Sequence, residues 1–175
     1  MAEIPEGLLV VDHRENEKVI HQLFMLLGDA KNDPNGKVWV CQLKTGDYII
    51  DDWVIEAKEI NDLAGSITGV NRSRTVAAQL RDMTESNPSK KPWLVVYGET
   101  ADLKPWVHKG KGRGNMRQAK VIAKARQKEH IKVFKKGFCL RFPDVSYFQV
   151  ESMKDFVDWL VEAYKNKVML PNSKA

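Results

Sequence analysis

The chain is expected to fold as an α/β domain, a central mixed β-sheet with helices on both faces. Three observations predict this. The apolar runs GLLVVD (7–12) and WLVVYG (93–98) do not alternate with polar residues, so they read as strands covered on both sides. YII and WVIEAK do alternate, and the Asp51-Asp52 turn joins them as a hairpin. Segments with apolar residues at helical spacing fall between the strands.

In chain order, the first strand ends at Asp12, at the carboxyl edge where sites of open α/β sheets tend to form. Val19, Ile20, Leu23, Phe24 and Leu27 then predict a helix over 17–27, with Gly28 as its stop. AKNDPNG (30–36) is turn chemistry, and VWVCQL (38–43) is a strand broken by TGD. In the strand 53–58, Val54, Glu56 and Lys58 share one face and Trp53, Ile55 and Ala57 the other. Helices are expected near 60–69 and 75–85, the second with Val76, Leu80 and Met83 inward. SNPSKKP (86–92) is a loop before the buried strand 93–98. HKGKGRGN (108–115) is glycine-rich and basic, with no Gly-Lys-Ser/Thr after a strand, so it is not a Walker-type phosphate loop. A helix over 116–130 would place Arg117, Lys120, Lys124 and Lys128 in one stripe, opposite Met116, Ala119, Ile122 and Ala123. GFCLRF (137–142) and FQV (148–150) read as strands. Ser152, with Asp155 three residues on, caps a last helix through Met153, Phe156, Val157, Leu160 and Tyr164.

A length of 175 residues and a hydrophobic share of 43% suit one domain with a real core, with disorder confined to the ends. No apolar run approaches the roughly 18 residues of a membrane span, and MAEIPEGLLVVDHRE has no signal-peptide pattern. Cys41 and Cys139 lie far apart, and neither has a second Cys or His at zinc spacing. A reduced intracellular setting without zinc is the simpler expectation. The net charge of +5 is unevenly spread. Residues 104–136 hold twelve Lys and Arg against Glu129 alone, a net +11 that leaves −6 for the remainder. An acidic body with a basic segment points to a polyanionic partner. The stripe on 116–130 has no aromatic at stacking spacing, so it suits backbone phosphates rather than base readout.

The acids gather around the hairpin. Asp47 ends the turn before it, Glu56 and Lys58 share a strand face, and Asp62 starts the next helix. Two carboxylates within reach of one another resist ionising together, and a hard divalent cation with oxygen ligands relieves that conflict. Mg²⁺ needs only a few protein carboxylates beside waters and substrate phosphate oxygens. Lys58 could then orient the attacking water or stabilise charge growing at phosphorus. The reaction class is phosphodiester hydrolysis.

These residues also carry a resemblance. Asp47 with Glu56-x-Lys58 looks like the PD-(D/E)xK pattern, and the chain resembles the XPF-type structure-specific endonuclease domain, including archaeal Hef. That family shows V-D-x-R-E, then G-D-Y, then E-R-K-x-x-x-D-L, and here stand VVDHRE (10–15), GDYII (46–50) and EAKEINDL (56–63). SITGVNRSRTVAAQL and PWLVVYG resemble its S-I-x-x-G-R and P-x-L-I-I-E-G stretches. The match is good over 8–98 and weak beyond it.

The resemblance implies a restriction-endonuclease-like fold spanning 1–175 as one domain, with the basic segment at 104–136 and the last helix at 151–167. It implies Asp47 and Glu56 as metal ligands, Asp12 as a further metal-side carboxylate, Glu15 as a supporting acid and Lys58 as the catalytic lysine. Asp62 would orient Lys58 or an arginine, and Arg14 would touch phosphate. Arg72 or Arg74 would stand for a helix-region arginine. With Lys109, Lys111 and Arg113 they would join the helical stripe in gripping DNA. The family arginine is replaced by Ala57, on the face away from Glu56 and Lys58, and no helix-hairpin-helix tail is recognisable.

The expected function is Mg²⁺- or Mn²⁺-dependent cleavage of branched, flapped or forked DNA, by a homodimer or heterodimer. Phe156, Trp159, Leu160 and Ala163 widen the last helix's apolar face and are either core or dimer surface. The alternatives are a non-catalytic DNA-binding scaffold subunit and a four-way junction resolvase.

Overall fold

The computed structural model of the protein describes residues 5–68, 75–105 and 115–169. Six strands form one sheet in the order β2-β1-β3-β4-β5-β6. They are β1 (Leu9–Asp12), β2 (Val38–Cys41), β3 (Tyr48–Ile50), β4 (Trp53–Glu59), β5 (Lys91–Tyr97) and β6 (Ser146–Val150). β3 runs antiparallel to β1 and β4, and every other pairing is parallel, so the sheet is mixed. The carboxyl ends of β1, β4 and β5 and the amino end of β3 therefore lie along one rim.

Helices cover both faces. α2 (Ile60–Thr68), α3 (Val76–Ser86) and α4 (Met116–Arg141) bury Ile60, Leu63, Leu80, Met83, Phe134 and Phe138 against Val10, Ile49, Val54 and Leu94. α1 (Glu17–Leu27) and α5 (Met153–Tyr164) bury Val19, Leu23, Phe156 and Leu160 against Leu9, Val11, Ile55 and Val95. The strand residues divide by parity, because successive side chains of a strand point to opposite faces. The architecture is restriction-endonuclease-like, as expected.

Local chemistry sets the boundaries. Asn16 caps α1 by accepting from the Lys18 N–H, and Gly28, at φ 76°, ends it by donating to the Phe24 carbonyl. Thr75 caps α3 through the Ala78 N–H. Ser152 accepts from the Asp155 N–H and donates its hydroxyl to the Asp155 carboxylate, which caps α5 at the expected residue.

Two expectations are corrected. The segment 137–142 is the last part of α4 and not a strand. Ile131, Phe134 and Phe138 recur at helical spacing and are buried, and Phe134 meets Phe138 edge-on while Phe142 tilts against Phe138, so burial extends the helix past the β-prone run. Gly137 is tolerated within it and borders open space. Met116 and Ile122, expected on the face opposite the basic stripe, are exposed rather than buried. α4 packs through its second half, and its first half stands largely in solvent. The broad apolar face of α5 is core in its greater part: Phe156 and Leu160 are fully buried, and Trp159 stacks with Trp53, Trp93 and Phe148. Cys41 and Cys139 are both free thiols. Among the described residues no helix is long and apolar enough to cross a membrane.

Candidate functional site

The rim collects the predicted residues because of the strand directions. Asp47 directly precedes β3. Its N–H donates to the Ile55 carbonyl at 2.8 Å, and its own carbonyl accepts from the Asp12 N–H at 2.8 Å, which ties it between β4 and β1. Gly46 makes the approach possible. Its φ is 74°, and a Cβ there would meet the Val54 side chain at 2.8 Å. The Asp47 carboxylate accepts from the Ala57 N–H at 2.8 Å. That places it beside Glu56, which is 5% exposed, and Lys58, whose Nζ lies 3.1 Å from Glu56 Oε1. Ala57 thus serves the site through its backbone while its methyl packs in the α1/α5 core.

The three acids Asp47, Glu56 and Glu15 oppose one another. Burial pushes the Asp47 carboxyl well above its ordinary value, and the Glu56 and Glu15 charges add to the push; the Ala57 N–H and Lys58 offset only part of it. Glu15 is raised too, chiefly by burial, despite a 2.7 Å hydrogen bond that the Tyr48 hydroxyl donates to it; Glu56 and Asp12 raise it further and Lys58 lowers it. Tyr48 is a site residue that the sequence reading did not assign, although it stands in the quoted Gly-Asp-Tyr stretch. Strand parity was the available signal, since it sends Tyr48 to the face opposite Asp47.

This donor set fits a hard divalent cation. Its ligand atoms would be carboxylate oxygens, and the repulsion among them is what a cation relieves. Among the described residues no group of three or more His, Cys, Asp or Glu is gathered into a metal-binding cluster.

Asp12 is engaged differently. It is 2% exposed, and four donors use its carboxylate: the Arg14 N–H and Nε at 2.8 Å on Oδ1, and Arg14 Nη2 at 2.9 Å with the Leu43 N–H at 2.8 Å on Oδ2. Burial raises its pKa, but the hydrogen bonds from Arg14 and Leu43 win and hold it below its ordinary value. Arg14 also donates to the Leu43 carbonyl at 3.0 Å. The expected metal ligand and the expected phosphate contact are thus each other's partners. An ion at Asp12 would compete with these bonds, although the Arg14 side chain is still 60% exposed. His13 Nδ1 lies 3.7 Å from Asp12 Oδ1.

Asp62 is exposed in the first turn of α2. Arg117, Lys120 and Lys128 are exposed along α4, and Lys124 is half-buried, its Nζ donating to the Ala101 carbonyl at 2.6 Å. Arg72, Arg74, Lys109, Lys111 and Arg113 lie outside the described residues.

Comparison with known proteins bears on this geometry. The family described as the ERCC4 domain matches residues 11–163. No curated protein matches significantly. Among solved structures, XPF from Aeropyrum pernix is similar at a TM-score of 0.57 and 18% identity, over 90% of this chain and 63% of that one. The chain therefore spans under two thirds of that relative's length. XPF from Aeropyrum pernix in complex with DNA is similar at a TM-score of 0.52 and 17% identity, over 95% of this chain and 68% of that one. These likenesses concern the fold.

Proposed function

The chain belongs to the ERCC4 domain family, and from that premise we propose that it is a divalent-metal-dependent endonuclease that hydrolyses phosphodiester bonds of branched, flapped or forked DNA. The observation that carries this reading is the set of mutually opposed carboxylates, Asp47, Glu56 and Glu15, with the Lys58 ammonium 3.1 Å from Glu56. Such an arrangement costs stability in a bare protein and suits an ion and a phosphate.

Asp47 and Glu56 would hold Mg²⁺ or Mn²⁺, with Glu15 in support. The ion would supply Lewis acidity at the phosphate and lower the pKa of the attacking water. Lys58 lies within reach of the same carboxylates, so its charge can stabilise negative charge developing on the phosphoryl oxygens and orient the water. Arg14, held by Asp12, keeps an exposed guanidinium edge near the rim for a flanking phosphate. Arg117, Lys120, Lys124 and Lys128 on α4 would neutralise the backbone of a duplex arm, and the stripe between them has no ring to read bases. Pairing with a second nuclease domain belongs to the same reading, and light scattering of the purified chain measures it.

The test is incubation with labelled flap, fork, four-way junction and linear duplex in Mg²⁺, Mn²⁺ or EDTA. Cleavage should require metal, favour a branched substrate and vanish in Asp47→Ala and Lys58→Ala. A preference for the four-way junction would make it a resolvase. Two observations favour a second reading, a non-catalytic DNA-binding subunit: the Asp12 carboxylate is filled by protein donors, and no ready-made cluster of metal ligands is present among the described residues. DNA binding without cleavage of any substrate would select it.

A further inference from the structure

Tyr97 closes β5 on the same rim, one residue beyond the Val96 that pairs with Lys58, and its register partner is Glu59. Its ring is held in place, stacked on Phe156 at 5.1 Å and 14°. Phe156 also meets Tyr48 edge-on at 5.5 Å, so one phenylalanine seats two phenols on one face of the sheet. On that face β4 presents Ile55, Ala57 and Glu59, opposite Tyr48, Val95 and Tyr97 in register. The two phenols differ in employment. Tyr48 spends its hydroxyl on Glu15, whereas the Tyr97 hydroxyl makes no hydrogen bond among the described residues, although its residue is only half-buried.

The electrostatic setting is one-sided. Burial raises Tyr97 to about 12, and Glu15, Glu59, Asp62 and Asp47 each add to it. The hydroxyl thus keeps its proton at any working pH and stands as a neutral donor among acceptors. A rigid donor on this rim with no partner among the described residues is arranged for an incoming oxygen.

We propose that Tyr97 is a phosphate-contacting residue of the candidate site, donating its O–H to a non-bridging oxygen of the bound DNA backbone at the rim. Lys58 supplies charge from the opposite face of β4, and Tyr97 supplies an uncharged hydrogen bond that fixes the phosphate's orientation. The proposal rests on the nuclease reading given above and names one more group in it.

The experiment compares wild type, Tyr97→Phe and Lys58→Ala. Tyr97→Phe retains the ring stacked on Phe156 and removes only the hydroxyl. The single-turnover cleavage rate at saturating branched DNA should fall about 100- to 1000-fold, the range for loss of one preorganised donor. The thermal midpoint should stay as in wild type. Sulfur substitution at the scissile non-bridging oxygens should slow wild type more than Tyr97→Phe, a difference that a structural role would not produce. Cleavage by Tyr97→Phe at the wild-type rate, with Lys58→Ala inactive, would overturn the assignment and leave the nuclease reading intact. A fall in thermal midpoint that accounts for the rate loss would overturn it in favour of a structural role. Absence of cleavage by wild type itself would remove both readings.

Discussion

Asp47 is held where its charge is least welcome, and its stability contribution follows in sign. A carboxyl whose pKa is raised by folding binds its proton more tightly in the native state. Its contribution is full below the ordinary value of 3.8 and is lost as pH rises through the raised value. Asp47→Asn should therefore raise the metal-free thermal midpoint at pH 7 by about 2–4 °C and change it little near pH 4, as read by calorimetry. Asp12 has the opposite sign. Its lowered pKa stabilises the fold at neutral pH, and that support fades as pH falls through the lowered value. Asp12→Ala should cost about 2 kcal/mol at pH 7, because it strands the buried Leu43 N–H and releases Arg14; urea unfolding measures it. The sequence names both residues, but only as acids in a motif. Their divergence depends on a backbone amide 31 positions away, which no local pattern encodes.

Element boundaries were legible where capping chemistry marks them, and so α1 and α5 match their expected starts. α4 shows where such reading stops. Its last turns carry Phe, Cys and Leu beside Gly137, a composition that suits a strand, and they are helical because Phe134 and Phe138 bury against the sheet face already occupied by α2 and α3. Gly137 sits in that helix with nothing within 4 Å of a would-be Cβ. Gly137→Ala should stabilise the protein by about 0.5–1 kcal/mol, measured as a rise in the urea midpoint at unchanged m-value. The first half of α4 can be tested as a phosphate-binding element. Replacing Lys120, Lys124 and Lys128 by Glu should weaken DNA binding and flatten the slope of log K against log salt by about 3, one per lost phosphate contact. Metal affinity should be unaffected, and an unchanged salt slope would take the helix out of the DNA interface.

At the scale of the whole molecule, the strand order was the part least visible in advance. The hairpin of β3 and β4 was readable from its turn, and the resemblance supplied the fold. That β1 lies between β2 and β3, and so brings Arg14 and Glu15 beside the hairpin, is set by pairings between distant segments. The rim exists only in the assembled sheet, and ion binding there should be linked to folding. If the opposed carboxylates hold Mg²⁺, saturating it at 100 times its Kd should stabilise wild type by about 2.7 kcal/mol and leave Asp47→Asn nearly unmoved, a comparison for differential scanning fluorimetry.

β4 is a wall with a different tenant on each side. Ile55 and Ala57 are lodged with α1 and α5, while Glu56 and Lys58 look the other way. A change that loosens the α5 layer, such as Phe156→Ala, would let the strand shift and carry the reactive groups with it. Chemistry could then fail through a substitution that touches none of its atoms.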